Sequence, residues 1–373
     1  MTLRDFCNDV FRKPFVVLGA TVGLSGVVAL LTFLAKRFMI NKNAATIPAL
    51  EDSEWIEIGR IKELYLYPLK SGKGKAIENC DFTDYGISVK TSGLFTLDDR
   101  MLLVYDSKTG KFQTGRNYPK LLLVSISAAD ENSLNIEADG MPKLVIRLPE
   151  KHKERSSNQV DCSMWWNEPL KCIDCGPEPA AWISKFLTGT SDSDLRFGSA
   201  ISKRRNIFEG PWEKFTKVYT TLRNEDTGYF ADLASYMLMT ESSLHELNKR
   251  LENTVSILRF RPNIVVAGSM PFDEDSWEWI KIGENVLLRN VKPCPRCAMV
   301  RVDPETAIVD GQEPLKTLRT FREQKNPKRI EVDGKAPVMG IYCGLYHQGA
   351  VKIDDKVFVK RFAREKNIKT VLK

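Results

Sequence analysis

Two cysteine pairs stand at the spacing C-x-x-C, Cys172/Cys175 and Cys294/Cys297. That spacing serves three chemistries: half of a zinc site, a redox dithiol, or one thiolate offered to a metal. Zinc would need the two pairs together, although they lie far apart in the chain. A thioredoxin-like dithiol sits between a strand and a helix, whereas here strands are predicted on both sides. Spacing alone leaves zinc and single-thiolate ligation level. The second pair lies in Lys292-Pro293-Cys294-Pro295-Arg296-Cys297, where two prolines stiffen the chain and Arg296 adjoins Cys297. A neighbouring cation favours the thiolate, the form that binds metal.

Three further stretches carry groups suited to an anion. In Arg259-Phe260-Arg261-Pro262-Asn263, arginine's planar fork suits phosphate or metal-oxo groups, and the asparagine both donates and accepts. Lys70-Ser71-Gly72-Lys73-Gly74-Lys75 follows a predicted strand, and its glycines expose backbone N–H groups beside three lysines and a serine. It is not a Walker A loop. Asp232, in Phe230-Ala231-Asp232-Leu233, precedes an apolar run. Each has a plainer reading: a surface ion pair, a simple turn, a cap. His152, His245 and His347 are too scattered for a histidine metal centre.

The elements that must position these residues are mainly strands. Ile56, Ile58, Ile61, Leu64 and Leu66 nearly alternate up to Pro68. Short apolar runs follow at 101–105, 121–126, 134–136 and 144–148, divided by turn residues. One helix is predicted after Pro177, with Ala180, Ala181, Ile183 and Phe186 on a face. Another is predicted over 241–251, with Thr240 as its cap and Leu244, Leu247 and Leu251 at helical spacing. Strands are predicted at 263–267, 277–282, 286–291 and 298–302, with a turn at 283–285, so the second cysteine pair falls in a loop at the end of a hairpin strand. Many short strands and few helices suggest barrel-like β domains with helical insertions.

The 373 residues are 43% hydrophobic and 28% charged, which excludes wholesale disorder. A net charge of +7 is spread thinly, apart from the run Lys360, Arg361, Arg364, Lys366, Lys369 and Lys373. It suits an anionic cofactor, an acidic partner or a lipid surface. Nucleic acid is not expected, because no zinc finger, basic helix or RNA-binding aromatic signature accompanies it. Eight dispersed cysteines fit reduced thiols in the cytosol. Phe15 to Ala35 is uncharged and followed by Lys36 and Arg37; at about 1.5 Å per residue it is long enough to cross a bilayer. The predicted organisation is an N-terminal segment (1–14), a transmembrane anchor (15–35), a linker (36–54), two domains (55–185 and 186–359) and a basic tail (360–373).

Taken in order, Tyr67-Pro68-Leu69-Lys70-Ser71, Arg261-Pro262-Asn263-Ile264-Val265, Cys294-Pro295-Arg296-Cys297 and Asp303-Pro304-Glu305-Thr306 resemble the MOSC superfamily, specifically the mitochondrial amidoxime-reducing component family. The resemblance runs from about Trp55 to Phe358. It implies an α+β, mainly β fold: a MOSC N-terminal β-barrel-like domain and a MOSC β-barrel domain with helical insertions, preceded by one N-terminal transmembrane helix. It implies that Cys297 binds the molybdenum of a molybdopterin and that Cys294 is structural. Lys70, Ser71, Arg100, Arg261, Asn263, Pro295, Arg296 and Tyr342 fall at positions resembling the family's cofactor contacts, and Asp232 where it has an aspartate close to the metal. Four positions depart from the pattern. Leu233 and Ala234 stand where hydroxyl residues are usual, Pro295 replaces a serine, Ala307 a turn glycine, and Gly72 a cysteine.

The implied activity is reduction of N-hydroxylated compounds (amidoximes, hydroxamic acids, N-hydroxylated bases). Cys297 would fix the metal, Asp232 would relay a proton, and Arg261 and Arg296 would neutralise anionic charge. The chain shows no flavin, nicotinamide or haem signature, so the resemblance implies electrons from cytochrome b5 and its NADH-dependent reductase. It also implies anchorage in the mitochondrial outer membrane with the catalytic body in the cytosol. Two rivals remain: a sulfur-handling MOSC protein, whose pyridoxal-phosphate domain this chain has no room for, and a membrane-tethered, zinc-stabilised module without catalysis.

Overall fold

The computed structural model describes residues 47–52, 54–91, 95–148, 158–164, 166–309 and 311–363. The predicted anchor and residues 364–373 of the basic tail lie outside them. Among the described residues no helix is long and apolar enough to cross a membrane.

Seven strands close into a barrel. In order around it they are Ile264–Ala267, Tyr236–Thr240, Val338–His347, Val286–Pro295, Trp277–Ile282, Lys356–Arg361 and Ile56–Leu66, the last pairing back onto the first. Only 236–240 and 264–267 run parallel; the other pairs are antiparallel. The two-residue period of a strand shows in the packing. Tyr236, Leu238, Ile264 and Val266 enter the large core, while Met237, Met239 and Val265 enter a second cluster that also holds Cys294 and Met339. Four- and five-stranded sheets and a three-stranded meander complete the β structure. In the four-stranded sheet Gly349–Lys352 pairs with Asn79–Thr83, so distant parts of the sequence share sheets as well as the barrel.

The predicted strand over 56–66 and helix after Pro177 are present, the helix as Pro177–Thr188. The second helix is shorter than its leucine spacing suggests: it runs Glu241–Asn248, with Thr240 accepting a capping bond from the Ser243 amide at 3.3 Å and Leu251 beyond its end. Two strand predictions fail for local reasons. Pro119 starts a 3-10 turn at Pro119–Leu123, and the strand begins only at Ser125. After the cysteine pair, Ala298–Arg301 is also a 3-10 turn.

The Val286–Pro295 strand in turn continues past Val291 and takes in Cys294. Register shifts against Val338–His347 accommodate Pro293 and Pro295, as bulges do where a proline cannot donate to the ladder. Cys294 is therefore fixed in the barrel wall, and Cys297 stands just beyond the strand's end.

Candidate functional site

One cleft, with a cavity volume of ≈ 140 Å³, is lined by Lys70, Ser71, Arg100, Asp232, Arg261, Asn263, Pro295, Arg296, Cys297 and Tyr342, and so gathers every residue that the resemblance marked for the cofactor or the chemistry. They come from connections that meet at this place. Lys70 and Ser71 follow Ile56–Leu66, Arg100 lies between two short strands, and Arg261 ends a 3-10 turn. Backbone strain collects here. Ser71, Arg100 and Arg261 all hold φ between 49° and 61°, in the left-handed region, and they are three of seven described non-glycine residues that do so. Such conformations persist only where the surroundings impose them.

The two cysteines of the second pair differ in kind. Cys294 is 3% exposed in an apolar cluster, and burial pushes its thiol up. Cys297 is exposed, and Arg116 Nη2 donates to its Sγ at 3.2 Å. Arg296, the cation expected to serve the thiolate, faces elsewhere. Its Nε and Nη2 donate to the Met339 carbonyl at 2.8 and 2.5 Å and its Nη1 to the Phe260 carbonyl at 2.8 Å, so it braces the loop from beneath. Among the described residues no three His, Cys, Asp or Glu side chains cluster as metal ligands. Cys172 packs with Leu103 and Phe112, in a different cluster from Cys294.

Elsewhere in the cleft two guanidiniums flank one ring: Arg100 lies 4.6 Å and Arg261 4.2 Å from the Tyr67 centroid. Asp99, 2% exposed, pairs with Arg100 and accepts from Asn263 Nδ2 at 3.0 Å. Asn263 uses its whole amide within the protein. Nδ2 also donates to the Tyr65 carbonyl at 3.2 Å, while Oδ1 accepts from Arg100 at 3.0 Å and from the Met237 amide at 3.3 Å. This fills its two donor and two acceptor positions, so Asn263 orients Arg100. Arg261 donates from Nη1 to the Gly72 carbonyl at 2.7 Å, but its Nη2 is buried without a partner. Burial, with Arg100's charge beside it, lowers Arg261 to about 10, so it stays cationic at neutral pH.

In the same cleft Lys70 Nζ donates to Asp232 Oδ1 at 2.6 Å and to the Phe230 carbonyl at 2.7 Å. Lys70's side chain is 7% exposed and that of Asp232, which opens into the cleft, 42%. Burial alone would raise the Asp232 carboxyl, but Lys70, with Arg116 and Arg205, holds it down to about 2. Burial also lowers the Lys70 ammonium, against the pull of Asp232. Arg205 fixes the Asp232 loop, donating to the Ala231 and Asp232 carbonyls at 2.5 and 2.9 Å.

Arg116, Thr114 and Arg205 were not singled out from the sequence. For Arg116 the one available signal is the glycine before it. A Cβ on Gly115 would lie 2.5 Å from the Met299 methyl and 2.6 Å from a Leu122 methyl, so glycine lets this loop press against the turn after Cys297 without those side chains moving. Three of the positions that depart from the resemblance, Leu233, Ala234 and Gly72, have local reasons. Leu233 and Ala234 are buried against Ile207, Tyr219 and Val291, and a Cβ on Gly72 would sit 2.6 Å from that of Leu69.

Comparison with known proteins identifies the family. Residues 58–190 match the MOSC N-terminal beta barrel domain and residues 226–358 the MOSC domain. Mitochondrial amidoxime reducing component 2 of Bos taurus is 35% identical over 303 residues, covering 81% of this chain and 83% of the relative. Component 2 of Homo sapiens is 33% identical over 302 residues (81% and 84%), and human component 1 is 31% identical over 303 (81% and 83%). With both domain models matched and relatives this similar along most of their length, the chain belongs to the mitochondrial amidoxime reducing component family.

Proposed function

We propose that this chain is a molybdenum-cofactor-dependent reductase of N-hydroxylated compounds, with Cys297 as the protein's ligand to the metal. The observation that carries the reading is the pairing of one exposed thiol with a cationic cleft in which Arg261 Nη2 is buried and unpartnered. A molybdopterin carries a phosphate and an anionic dithiolene, and the donor set fits it: Lys70, Ser71, Arg100, Arg116 and Arg261 line the cleft. Those residues would hold the cofactor. Asn263 and Arg296 would position them, and Pro295 and Tyr342 would border the site. When bound, molybdenum exchanges two electrons and accepts an oxygen atom, chemistry that no side chain supplies.

In the overall reaction the N–O bond breaks, two electrons and two protons are taken up, and water leaves. The protein's share is proton handling and orientation. Asp232, whose side chain opens into the cleft, would relay a proton from solvent to the departing oxygen, and the Lys70 ammonium at 2.6 Å would keep its Oδ1 in place. The two guanidiniums on Tyr67 keep positive charge in the cleft.

The electrons would come from cytochrome b5 and its NADH-dependent reductase. The uncharged stretch from Phe15 to Ala35 would anchor the chain in the mitochondrial outer membrane, leaving the body in the cytosol. The relatives' printed names, which call them mitochondrial, support that placement. Residues 55–185 and 186–359 would form the two MOSC domains.

The full chain, made in a host that synthesises molybdopterin, tests the assignment by metal analysis. Molybdenum near one per chain, lost in Cys297→Ala and kept in Cys172→Ala, supports it. Zinc near one per chain, lost in either variant, would replace it with a structural module.

A further inference from the structure

Beside the cofactor cleft lies a second cavity of ≈ 1030 Å³, which also reaches Cys297, Asp232, Arg116 and Tyr342. The two spaces share these residues, so a molecule in the larger one faces the thiol directly. Its size suits a drug-sized organic ligand, for which pockets of about 300–1,000 Å³ are usual.

Trp166, Trp212 and Phe215 line this second cavity. Trp166 and Trp212 meet edge to face with centroids 5.4 Å apart, and Trp212 lies 4.7 Å from Phe215. The indoles are pinned by one buried carboxylate. Glu168 Oε2 accepts from Trp166 Nε1 at 2.9 Å and from Trp212 Nε1 at 2.8 Å, and its other oxygen lies 3.1 Å from Arg205. Both side chains of that ion pair are under 10% exposed. Arg205 is also the residue that holds the Ala231 and Asp232 carbonyls, so one ion pair sets the aromatic wall and the Asp232 loop together.

Several charges around the cavity are paired within the protein, Arg296 is held by backbone carbonyls, and Lys214 lies 5.3 Å from the Phe215 ring centroid. Lys292 pairs with Asp333 at 2.7 Å, Lys217 with Glu213 at 2.8 Å, and Asp232 with Lys70 at 2.6 Å. This differs from the cofactor cleft, where a guanidinium nitrogen is unpartnered. A wall of indole and phenyl rings favours a flat, apolar body against it.

We propose that Trp212 and Phe215, held by the Glu168–Arg205 pair, select planar aromatic N-hydroxylated substrates, with the ring against this wall and the N–O group towards Cys297. The proposal rests on the reductase reading for its reaction and on the wall alone for its selectivity.

Two substrates that differ only in the ring test it: benzamide oxime and acetamide oxime, given to the cofactor-loaded full chain with a chemical electron donor. The ratio of their kcat/KM values is expected to favour the aromatic compound. In Trp212→Ala and in Phe215→Ala the ratio falls about tenfold, mainly through KM, whereas Trp212→Phe keeps most of it because a ring remains. Calorimetric titration of benzamide oxime into the loaded protein without a donor reads binding apart from turnover. It is expected to weaken about tenfold in the same two alanine variants. An unchanged ratio and unchanged binding in both would overturn the wall while leaving the reductase intact. Ring-dependent binding in a protein that reduces neither compound would overturn the reductase reading and leave the wall standing. If Trp212→Ala does not fold, Phe215→Ala and Trp212→Phe decide the question.

Discussion

Arg116 Nη2 lies 3.2 Å from Cys297 Sγ, a contact that joins the loop after a two-residue strand to the segment just beyond the Val286–Pro295 barrel strand. A hydrogen bond to a charged group contributes about 1.5–3 kcal/mol. Arg116→Gln keeps a donor but removes the charge, and its expected cost is roughly 1.5 kcal/mol, or about a tenfold faster loss of molybdenum. Metal content during timed dialysis against a chelator measures this. Retention equal to that of the unaltered protein would mean that the contact does not support the ligand.

The Lys70–Asp232 pair predicts a pH-dependent stability. Asp232's carboxyl is held at about 2 against an ordinary 3.8, so its contribution is complete above pH 3.8 and fades as pH falls towards 2. Because the carboxylate side chain is 42% exposed, solvent screening reduces the gain to the order of 1 kcal/mol. Asp232→Asn is therefore expected to be less stable than the parent at pH 7, with the gap shrinking near pH 3. Urea unfolding midpoints of both metal-free proteins at the two pH values give the comparison. A gap that stays constant would place the effect in packing instead of charge.

How far the sequence reveals this site depends on how local each signal is. The Lys70–Lys75 loop, the Arg261–Asn263 stretch and the cysteine pair each carry their chemistry within a few residues, and each reaches the cleft. Arg116 has no such signature, since its meaning lies in a contact 181 residues away. The path of the chain around Cys294 is hidden for a related reason. Prolines at 293 and 295 argue against a strand, and only the bulged pairing with Val338–His347 lets one continue. Closure of the barrel by Ile56–Leu66 onto Ile264–Ala267 is likewise a long-range match between two runs that look alike in isolation. Asn263 reads as a ligand by type; its bonds to Asp99, Arg100, Tyr65 and Met237 make it a scaffold.

Ala307, one of the non-glycine residues in the left-handed region, sits at φ 58°. For a residue with a Cβ this region costs about 1–2 kcal/mol, partly offset by glycine's larger loss of freedom on folding. Ala307→Gly is thus expected to stabilise the protein by about 0.5–1 kcal/mol. The residue lies outside the cleft, so kcat and KM should not move. A lower urea midpoint for the glycine variant would refute the strain argument.

Glu274 offers the opposite pH signature to Asp232. It is 0% exposed, accepts from Ser243 Oγ at 2.9 and 3.0 Å and from Thr240 Oγ1 at 3.1 Å, and has no described cation as a partner. Burial raises its carboxyl to about 7 from an ordinary 4.5, and neighbouring Asp275 adds to the shift. A raised carboxyl destabilises the fold as pH climbs. Below 4.5 both states are protonated and no penalty exists; between 4.5 and 7 the unfolded chain ionises first, and stability falls until the folded group follows. The gap amounts to the order of 2–3 kcal/mol. Glu274→Gln removes the ionisation and keeps an acceptor for the hydroxyls. Its stability relative to the parent should therefore rise from pH 4.5 to about 7 and level off above. Midpoints for the two proteins that run parallel over this range would show that Glu274 ionises in the folded protein as readily as in water.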